Sequence, residues 1–221
     1  MIRRPPRSTR KESSAASDVY KRQLWYFVIP KKEEFVLPIF TPSDLRSNLV
    51  HPSLVGKTEH IVPEFSFIDQ NGNTVTETTV NNKIYIVDFF FTSCPSICID
   101  LTNNLKEVQS TFINNDDVLI LSHSVDPKVD NVERLQKYAS INNIKDEKWF
   151  LLTGPIEETI RMAQLGYFAI ASVPNHDENS LIHTENVILI DRNRQIRGIY
   201  NGTSPLETSY LIDDINKLLS Y

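Results

Sequence analysis

The chain has 221 residues, of which 40% are hydrophobic and 23% are charged, as is usual for a soluble protein with one domain-sized core. Seven of the 23 Lys/Arg residues but only two of the 28 Asp/Glu residues lie in residues 1–23, so the rest of the chain is strongly acidic. A body this acidic is a poor candidate for binding nucleic acid or anionic lipid through its own surface.

Residues 1–23 do not have the composition of a folded segment. The stretch is basic, rich in serine and nearly free of large apolar side chains, so it offers nothing to a core. It also lacks the apolar region of a secretory signal. Its last residues, DVYKRQ, match a translated sequencing-library adapter. We therefore interpret the segment as non-native, with a disordered native tail as the alternative.

Residues 24–30, LWYFVIP, are apolar and aromatic and are followed by Lys31 and Lys32. Seven residues cannot cross a bilayer, which needs about 20. We interpret them as the end of an N-terminal membrane anchor; the alternative is a short apolar segment that packs on the domain. Residues 31–60 are rich in proline and polar residues without sustained periodicity, which predicts a linker or irregular lead-in to a domain over residues 61–221.

The first elements of that domain are a hairpin, a buried strand and a helix. From Phe65 the pattern predicts two short strands joined by a turn at Asn71-Gly72. The apolar run at 83–91, KIYIVDFFF, is typical of a central strand covered on both faces. Pro95 suits a first helical turn. Apolar residues then recur at helical spacing: Ile97, Leu101, Leu105, Val108 and Phe112.

Strands and helices alternate through the rest of the chain. Strands are predicted at 117–125 and 149–154, helices at 131–143, 156–168 and 204–220, and a pair of strands within 185–202. The order β-β-β-α-β-α-β-α-β-β-α predicts an α/β fold with a mixed central sheet flanked by helices.

The only two cysteines, Cys94 and Cys98, lie where the predicted strand gives way to the helix. Residues four apart share a helix face, so the two side chains can converge. The helix N-terminus favours thiolate and should lower the cysteine pKa. A thiolate is the nucleophile of disulfide exchange and a soft ligand for copper(I). Two buried core cysteines, or a structural disulfide closing so short a loop, explain the pair less well.

A copper site built on two thiolates needs a third ligand, and the chain has five histidines. His51, His60 and His176 lie in irregular or polar segments, where we expect them to be solvated. His123 lies in a predicted strand, where a hydrogen-bonded structural histidine is the default expectation. His183 differs, because it stands at a loop-to-strand junction, where α/β sheets collect their ligands.

Three motifs together resemble the Sco/SenC family of copper-delivery proteins for cytochrome c oxidase: FFFTSCPSIC, SHSVDPKVD and LIHTENVILIDRNRQIRGIY. The resemblance runs from about Ile61 to the C-terminus. It implies a thioredoxin-like fold with an added N-terminal β-hairpin, and copper, as Cu(I) or Cu(II), bound by Cys94, Cys98 and His183. The family often has proline after the second cysteine, where this chain has Ile99, a departure that concerns helix geometry more than ligand identity.

The same resemblance implies a metallochaperone rather than an enzyme, which passes copper to the dinuclear copper site of the oxidase or reduces the cysteines of that site. Its implied partners are the copper-site subunit of cytochrome c oxidase and a thioredoxin-like reductant, since an oxidising compartment would convert the two thiols to a disulfide. Its implied location is the bacterial cytoplasmic membrane, with a single N-terminal anchor and the domain facing the periplasm.

The alternative function is a membrane-tethered thiol–disulfide oxidoreductase or a metal-free redox sensor. Asp88 lies six residues before Cys94, where thioredoxins keep a buried acid that accepts a proton from the second thiol. Against this stand the three residues between the cysteines, where thioredoxins have two, and the pair His183-Thr184, where they have a substrate-docking proline.

Three acidic or imidazole side chains other than the ligands are candidates for supporting the site or docking a partner: Asp88, His123 and Asp126. In the segment VDPKVD, the simplest expectation for Asp126 and Asp130 is that they cap the following helix and stabilise a turn at Pro127.

Overall fold

The computed structural model describes residues 36–47, 50–95, 97–170 and 184–220. The chain divides into two compact units, Met1–Val36 and Leu37–Tyr221, and the fold described below is that of the second unit. The predictions for the tail and the anchor fall outside the described residues. Within the described ranges, no helix is long and apolar enough to cross a membrane.

The predicted order of strands and helices is confirmed. The strands are β1 Ser66–Ile68, β2 Thr74–Thr76, β3 Ile84–Phe90, β4 Val118–Ser124, β5 Trp149–Leu152, β6 Asn186–Ile190 and β7 Ile196–Asn201. The helices are α1 Ile97–Thr111, α2 Val132–Asn142, α3 Ile156–Arg161 and α4 Pro205–Leu219, and a π-helical turn, Met162–Gly166, directly follows α3.

The central sheet is mixed and has the strand order β5-β4-β3-β6-β7. β3 pairs in parallel with β4, and β4 with β5, whereas β6 runs antiparallel to both β3 and β7. Every residue of β3 and β4 is buried, because both faces of the sheet are covered. The hairpin β1–β2 covers the β5 edge, where Ile68 and Thr153 exchange backbone hydrogen bonds of 2.9 Å.

Successive side chains of β3 and β4 point to opposite faces of the sheet, so the two faces carry different kinds of side chain. The cysteine helix α1 and helix α2 share the face on which Asp88 and Ser122 are hydrogen-bonded partners. Tyr138 of α2 joins them, because its hydroxyl bonds to Thr102 of α1 at 2.8 Å and its ring packs 5.5 Å from that of Phe90.

The opposite face is aromatic. The His123 ring of β4 lies 4.6 Å from the Phe67 ring of the hairpin, 5.4 Å from Phe89 of β3 and 5.6 Å from Tyr167, which follows the π-helical turn. The hairpin and the α3 region therefore cover this face, and the predicted arrangement of helices on both faces is confirmed.

The irregular segment ahead of β1 packs against the domain. Leu37, Val50 and Leu54 are buried in the core. Arg197 of β7 holds the beginning of this segment, since it donates hydrogen bonds to the carbonyl oxygens of Leu37 at 2.5 Å and Pro38 at 3.0 Å. The described part of the expected lead-in thus packs on the domain, and it contains two short 3-10 helices, Pro42–Asp44 and Pro52–Leu54.

Candidate functional site

The cysteines occupy the turn from β3 into α1. The backbone N–H of Cys94 donates to the Phe91 carbonyl at 3.2 Å, closing a turn directly after the strand. Helix α1 begins at Ile97, so Cys94 precedes the helix instead of starting it, and Cys98 is its second residue. Both cysteines are buried thiols that are not joined by a disulfide. The two side chains are nevertheless in contact, because the Cys98 thiol is hydrogen-bonded to the Cys94 side chain.

The expectation that the helix N-terminus lowers the cysteine pKa is wrong for Cys98. Burial, the largest effect, and the hydrogen bond with Cys94 raise the pKa of the Cys98 thiol to about 12, while a backbone hydrogen bond with Phe91 acts in the opposite direction. Removing a sulfur from water disfavours its charged form more than the helix end favours it. The Cys98 proton must therefore leave before this sulfur can bind a metal or form a disulfide.

Asp88 is a buried carboxyl group in β3, six residues before Cys94. It is 2% exposed and accepts a hydrogen bond from Ser122 Oγ, which in turn accepts one from Trp149 Nε1 at 2.7 Å. Burial raises the pKa of Asp88 to about 7, although the Ser122 hydrogen bond opposes the rise. A negative charge on Asp88 also contributes to the raised pKa of Cys98, so the two groups are electrostatic neighbours.

His123, expected to be a hydrogen-bonded strand histidine, has no hydrogen-bond partner for either ring nitrogen within the part of the chain that the structure describes. That expectation is wrong. The side chain is fully buried, and burial lowers its pKa to about 3, so the ring is neutral. It lies on the aromatic face of the sheet, whereas Asp88 lies on the face of α1.

The predicted third ligand, His183, lies outside the described residues. Among the residues that are described, no three His, Cys, Asp or Glu side chains are grouped so that they could hold a metal. The neighbouring Thr184 is buried, and its Oγ1 accepts a hydrogen bond from the Asn186 N–H at 3.1 Å. Because β6 is antiparallel to β3, its first residues lie at the end of the sheet where β3 finishes and the cysteine turn begins.

Gly202 brings the beginning of β6 and helix α1 together. Its N–H donates to the Glu185 carbonyl at 2.7 Å, and its own carbonyl accepts from Asn104 Nδ2 at 2.8 Å. A Cβ at this position would collide with the side chains of Leu101 and Val187. The segment that follows His183 is therefore in close contact with the first turns of the cysteine helix.

Asp130, which the sequence predicted to cap the following helix and stabilise a turn, contacts the cysteine turn. Asp130 is fully buried, and its carboxylate accepts hydrogen bonds from the Thr92 N–H at 3.1 Å, from Thr92 Oγ1 at 2.5 Å and from Ser124 Oγ at 2.6 Å. Thr92 lies two residues before Cys94. Asp130 therefore bonds directly to the cysteine turn.

The expected capping of α2 by Asp126 or Asp130 is wrong, because Asn131 is the cap: its side chain accepts from the Arg134 N–H at 2.9 Å. The expected turn at Pro127 is present, since the Asp126 carbonyl accepts from the Val129 and Asp130 N–H groups at 3.0 and 2.8 Å. The sequence signal for the contact between Asp130 and the cysteine turn was an acidic loop directly after a buried parallel strand. That loop lies at the edge of the sheet where the neighbouring strand also ends.

A family model described as SCO1/SenC matches residues 55–220. The crystal structure of a SCO1/SenC family lipoprotein from Bacillus anthracis is 27% identical, covers 72% of this chain and 95% of its own, and superimposes with a TM-score of 0.65. BsSco, studied for a disulfide switch and described as a member of the Sco family of cytochrome c oxidase assembly proteins, is also 27% identical, with 74% and 95% coverage and a TM-score of 0.62.

Copper-bound ScoI of Arabidopsis thaliana is 26% identical, covers 73% of this chain and all of its own, and has a TM-score of 0.56. These likenesses confirm the predicted thioredoxin-like fold with its added hairpin. Because the family model spans the whole sheet, the cysteine turn and the C-terminal helix, the chain belongs to the SCO1/SenC family.

Proposed function

We propose that this protein binds copper through Cys94, Cys98 and His183 and delivers it during the assembly of cytochrome c oxidase. The observation that carries the proposal is the pair of hydrogen-bonded thiols where β3 gives way to α1. This junction lies at the end of the sheet where β6 begins. The copper-bound relative supports it.

The donor set fits the metal. Two thiolates are soft ligands that suit Cu(I), and an imidazole nitrogen would help to hold Cu(II). The burial of both sulfurs suits a carrier, because few bulk-solvent ligands can compete for a metal held below the surface. The raised pKa of Cys98 makes binding proton-coupled, since each metallated sulfur must first lose its proton.

The partners that we propose are the oxidase subunit with the dinuclear copper site and a thioredoxin-like reductant. The reductant is required if the domain works in an oxidising compartment, because a Cys94–Cys98 disulfide cannot hold copper. We also propose a domain tethered to the bacterial membrane and facing the periplasm; the lipoprotein relative supports the tether.

The test is copper retained by reduced protein after competition with a Cu(I) chelator. We expect about one copper per chain, none in Cys94→Ala or Cys98→Ala, and a loss of about tenfold or more in affinity in His183→Ala. His51→Ala is the matched control, since His51 lies in the irregular segment ahead of β1 and bonds to Ser53. Wild-type retention by His183→Ala would exclude that residue as a ligand.

A second candidate function, thiol–disulfide exchange, is favoured by Asp88. A buried carboxyl group with a pKa near 7, close to a buried thiol, is suited to accept the Cys98 proton when the thiol reacts. Exchange needs only the two sulfurs, so His183→Ala should keep it. If wild-type protein retains no copper but reduces a disulfide substrate with an intact rate in His183→Ala, oxidoreductase activity replaces copper delivery as the function.

A further inference from the structure

The turn that presents Cys94 is tied to the neighbouring strand and loop by one buried carboxylate. The β3–β4 backbone pairing continues as far as the Phe90 carbonyl, which accepts from the Val125 N–H at 2.9 Å. Thr92 follows two residues later, and both its N–H and its hydroxyl donate to the carboxylate of Asp130, one to each oxygen. Beyond the last backbone hydrogen bond between the two strands, the Asp130 side chain thus holds the chain that follows β3.

Asp130 is itself firmly placed. Ser124, the last residue of β4, donates its hydroxyl to Asp130 Oδ2 at 2.6 Å, and the Asp130 N–H donates to the Asp126 carbonyl at 2.8 Å. Hydrogen bonds to an ionised group are shorter and stronger than neutral ones. The carboxylate therefore fixes Thr92 relative to the rigid end of β4.

The Thr92 hydroxyl has a second charged partner. Because it donates its one proton to Asp130, it can only accept the hydrogen bond from Arg134 Nε, which is 2.9 Å away. A hydroxyl held between a carboxylate and a guanidinium has one orientation. The residue two positions before Cys94 is thus held by two groups from the β4–α2 region.

We infer that Asp130 is a positioning residue for Cys94: through Thr92 it sets where the Cys94 sulfur stands relative to that of Cys98. The inference deepens the proposed copper function and rests on it for one of its two readouts. Disulfide formation demands a narrow range of sulfur positions, and groups that orient a metal ligand affect affinity nearly as much as the ligand does. Loosening Thr92 should therefore alter both chemistries while the ligands stay unchanged.

A merely structural role for this network is the rival explanation, and the variants are chosen to separate the two. Thr92→Val keeps the side-chain shape and the backbone bond but removes the hydroxyl that joins Asp130 and Arg134. Thr92→Ser keeps the hydroxyl. Thr208→Val is the matched control, because Thr208 is buried in α4 and its hydroxyl donates within its own helix end, to the Ser204 carbonyl at 3.0 Å. Asp130→Asn is a second variant of the carboxylate itself.

The first readout needs no metal. Each protein is equilibrated with reduced and oxidised dithiothreitol, where two electrons and two protons pass from the reagent to the Cys94–Cys98 disulfide. The second readout is the copper-competition assay, and the Cu(II)–thiolate absorption band is recorded on separate samples loaded with Cu(II). Unfolding in urea measures the stability of every variant.

We expect Thr92→Val and Asp130→Asn to shift the dithiol–disulfide equilibrium and the copper affinity by about tenfold and to change the absorption band. Thr92→Ser and Thr208→Val should match wild type in these readouts even where Thr208→Val is less stable. Wild-type behaviour of Thr92→Val in both readouts would overturn the inference, as would an equal shift in Thr208→Val. If wild type binds no copper, the proposed function fails, and the dithiothreitol equilibrium alone decides the role of Asp130.

Discussion

Burial disfavours the charged form of two ionisable residues on opposite faces of the sheet, Asp88 and His123. In the β3–β4 pairing, Asp88 stands opposite Ser122 and Phe89 opposite His123. Burial lowers the pKa of His123 to about 3 and raises that of Asp88 to about 7. The unfolded chain would titrate His123 near 6.5 and Asp88 near 3.8. Both residues therefore make the stability of the fold depend on pH.

The signs of the two contributions are opposite. Below pH 6.5 unfolded His123 takes up a proton that the folded state refuses, so stability falls as the pH drops from 6.5 towards 3. Folded Asp88 holds its proton up to about pH 7, so its contribution is full below 3.8 and is lost as the pH rises through 7. Between pH 4 and 7 the two effects partly cancel, and only variants can separate them.

The prediction at this scale is that His123→Phe makes the protein more resistant to mild acid. Phenylalanine would pack among Phe67, Phe89 and Tyr167 without a buried imidazole to protonate on unfolding. At pH 5 the variant should gain about 2 kcal/mol over wild type beyond any gain seen at pH 8. Urea unfolding at both pH values measures this, and an identical pH dependence in the two proteins would show that His123 is protonated in the folded state.

At the scale of elements, the contact between α1 and β6 sets how closely the helix that carries Cys98 approaches the beginning of β6. Gly202 makes the contact possible, because any side chain there would push Leu101 of α1 away from Val187 of β6. The close approach has a steric cause and does not depend on a special backbone angle. It couples the packing of two elements to the geometry of the proposed metal site.

We therefore predict that Gly202→Ala destabilises the domain by about 1–3 kcal/mol and also weakens copper retention. Gly72→Ala is the control: Gly72 has a φ of +81° in the β1–β2 turn with no atom within 4 Å of a Cβ, so strain costs about 1–2 kcal/mol there and copper retention should not change. Urea unfolding and chelator competition measure the two effects. Copper retention that falls equally in both variants would show that it follows stability alone.

At the scale of the whole molecule, the sequence predicted the order of the elements because apolar runs and helical spacing are local patterns. Residues 83–91 read as a buried strand, and β3 spans Ile84–Phe90. The bond from Asp130 to Thr92, 38 residues apart, depends on which strands are neighbours and on their register, which no local pattern contains. The raised pKa of Cys98 escaped prediction for a related reason, since burial is a property of the packed molecule.

Arg197 connects two parts of the fold that are far apart in sequence, because it joins the segment ahead of β1 to the sheet edge at β7. Its guanidinium pairs with buried Asp191 at 2.7 Å and donates to the carbonyls of Leu37 and Pro38. These residues lie at the end of the sheet opposite the cysteine turn, since β6 ends and β7 begins there. The contacts of Arg197 should therefore stabilise the fold without affecting copper binding.

The last prediction follows from that separation. Arg197→Met should lower the free energy of unfolding by about 3–5 kcal/mol, because it leaves Asp191 as a buried charge without its cation. Proteases should then cut first near Leu37, while the folded fraction keeps wild-type copper retention. Lys217→Met, which removes a partly exposed pair with Asp214, should cost only about 0–1 kcal/mol. Urea unfolding, limited proteolysis and chelator competition measure the three effects, and a copper affinity that falls in folded Arg197→Met would show that the two ends of the sheet are coupled.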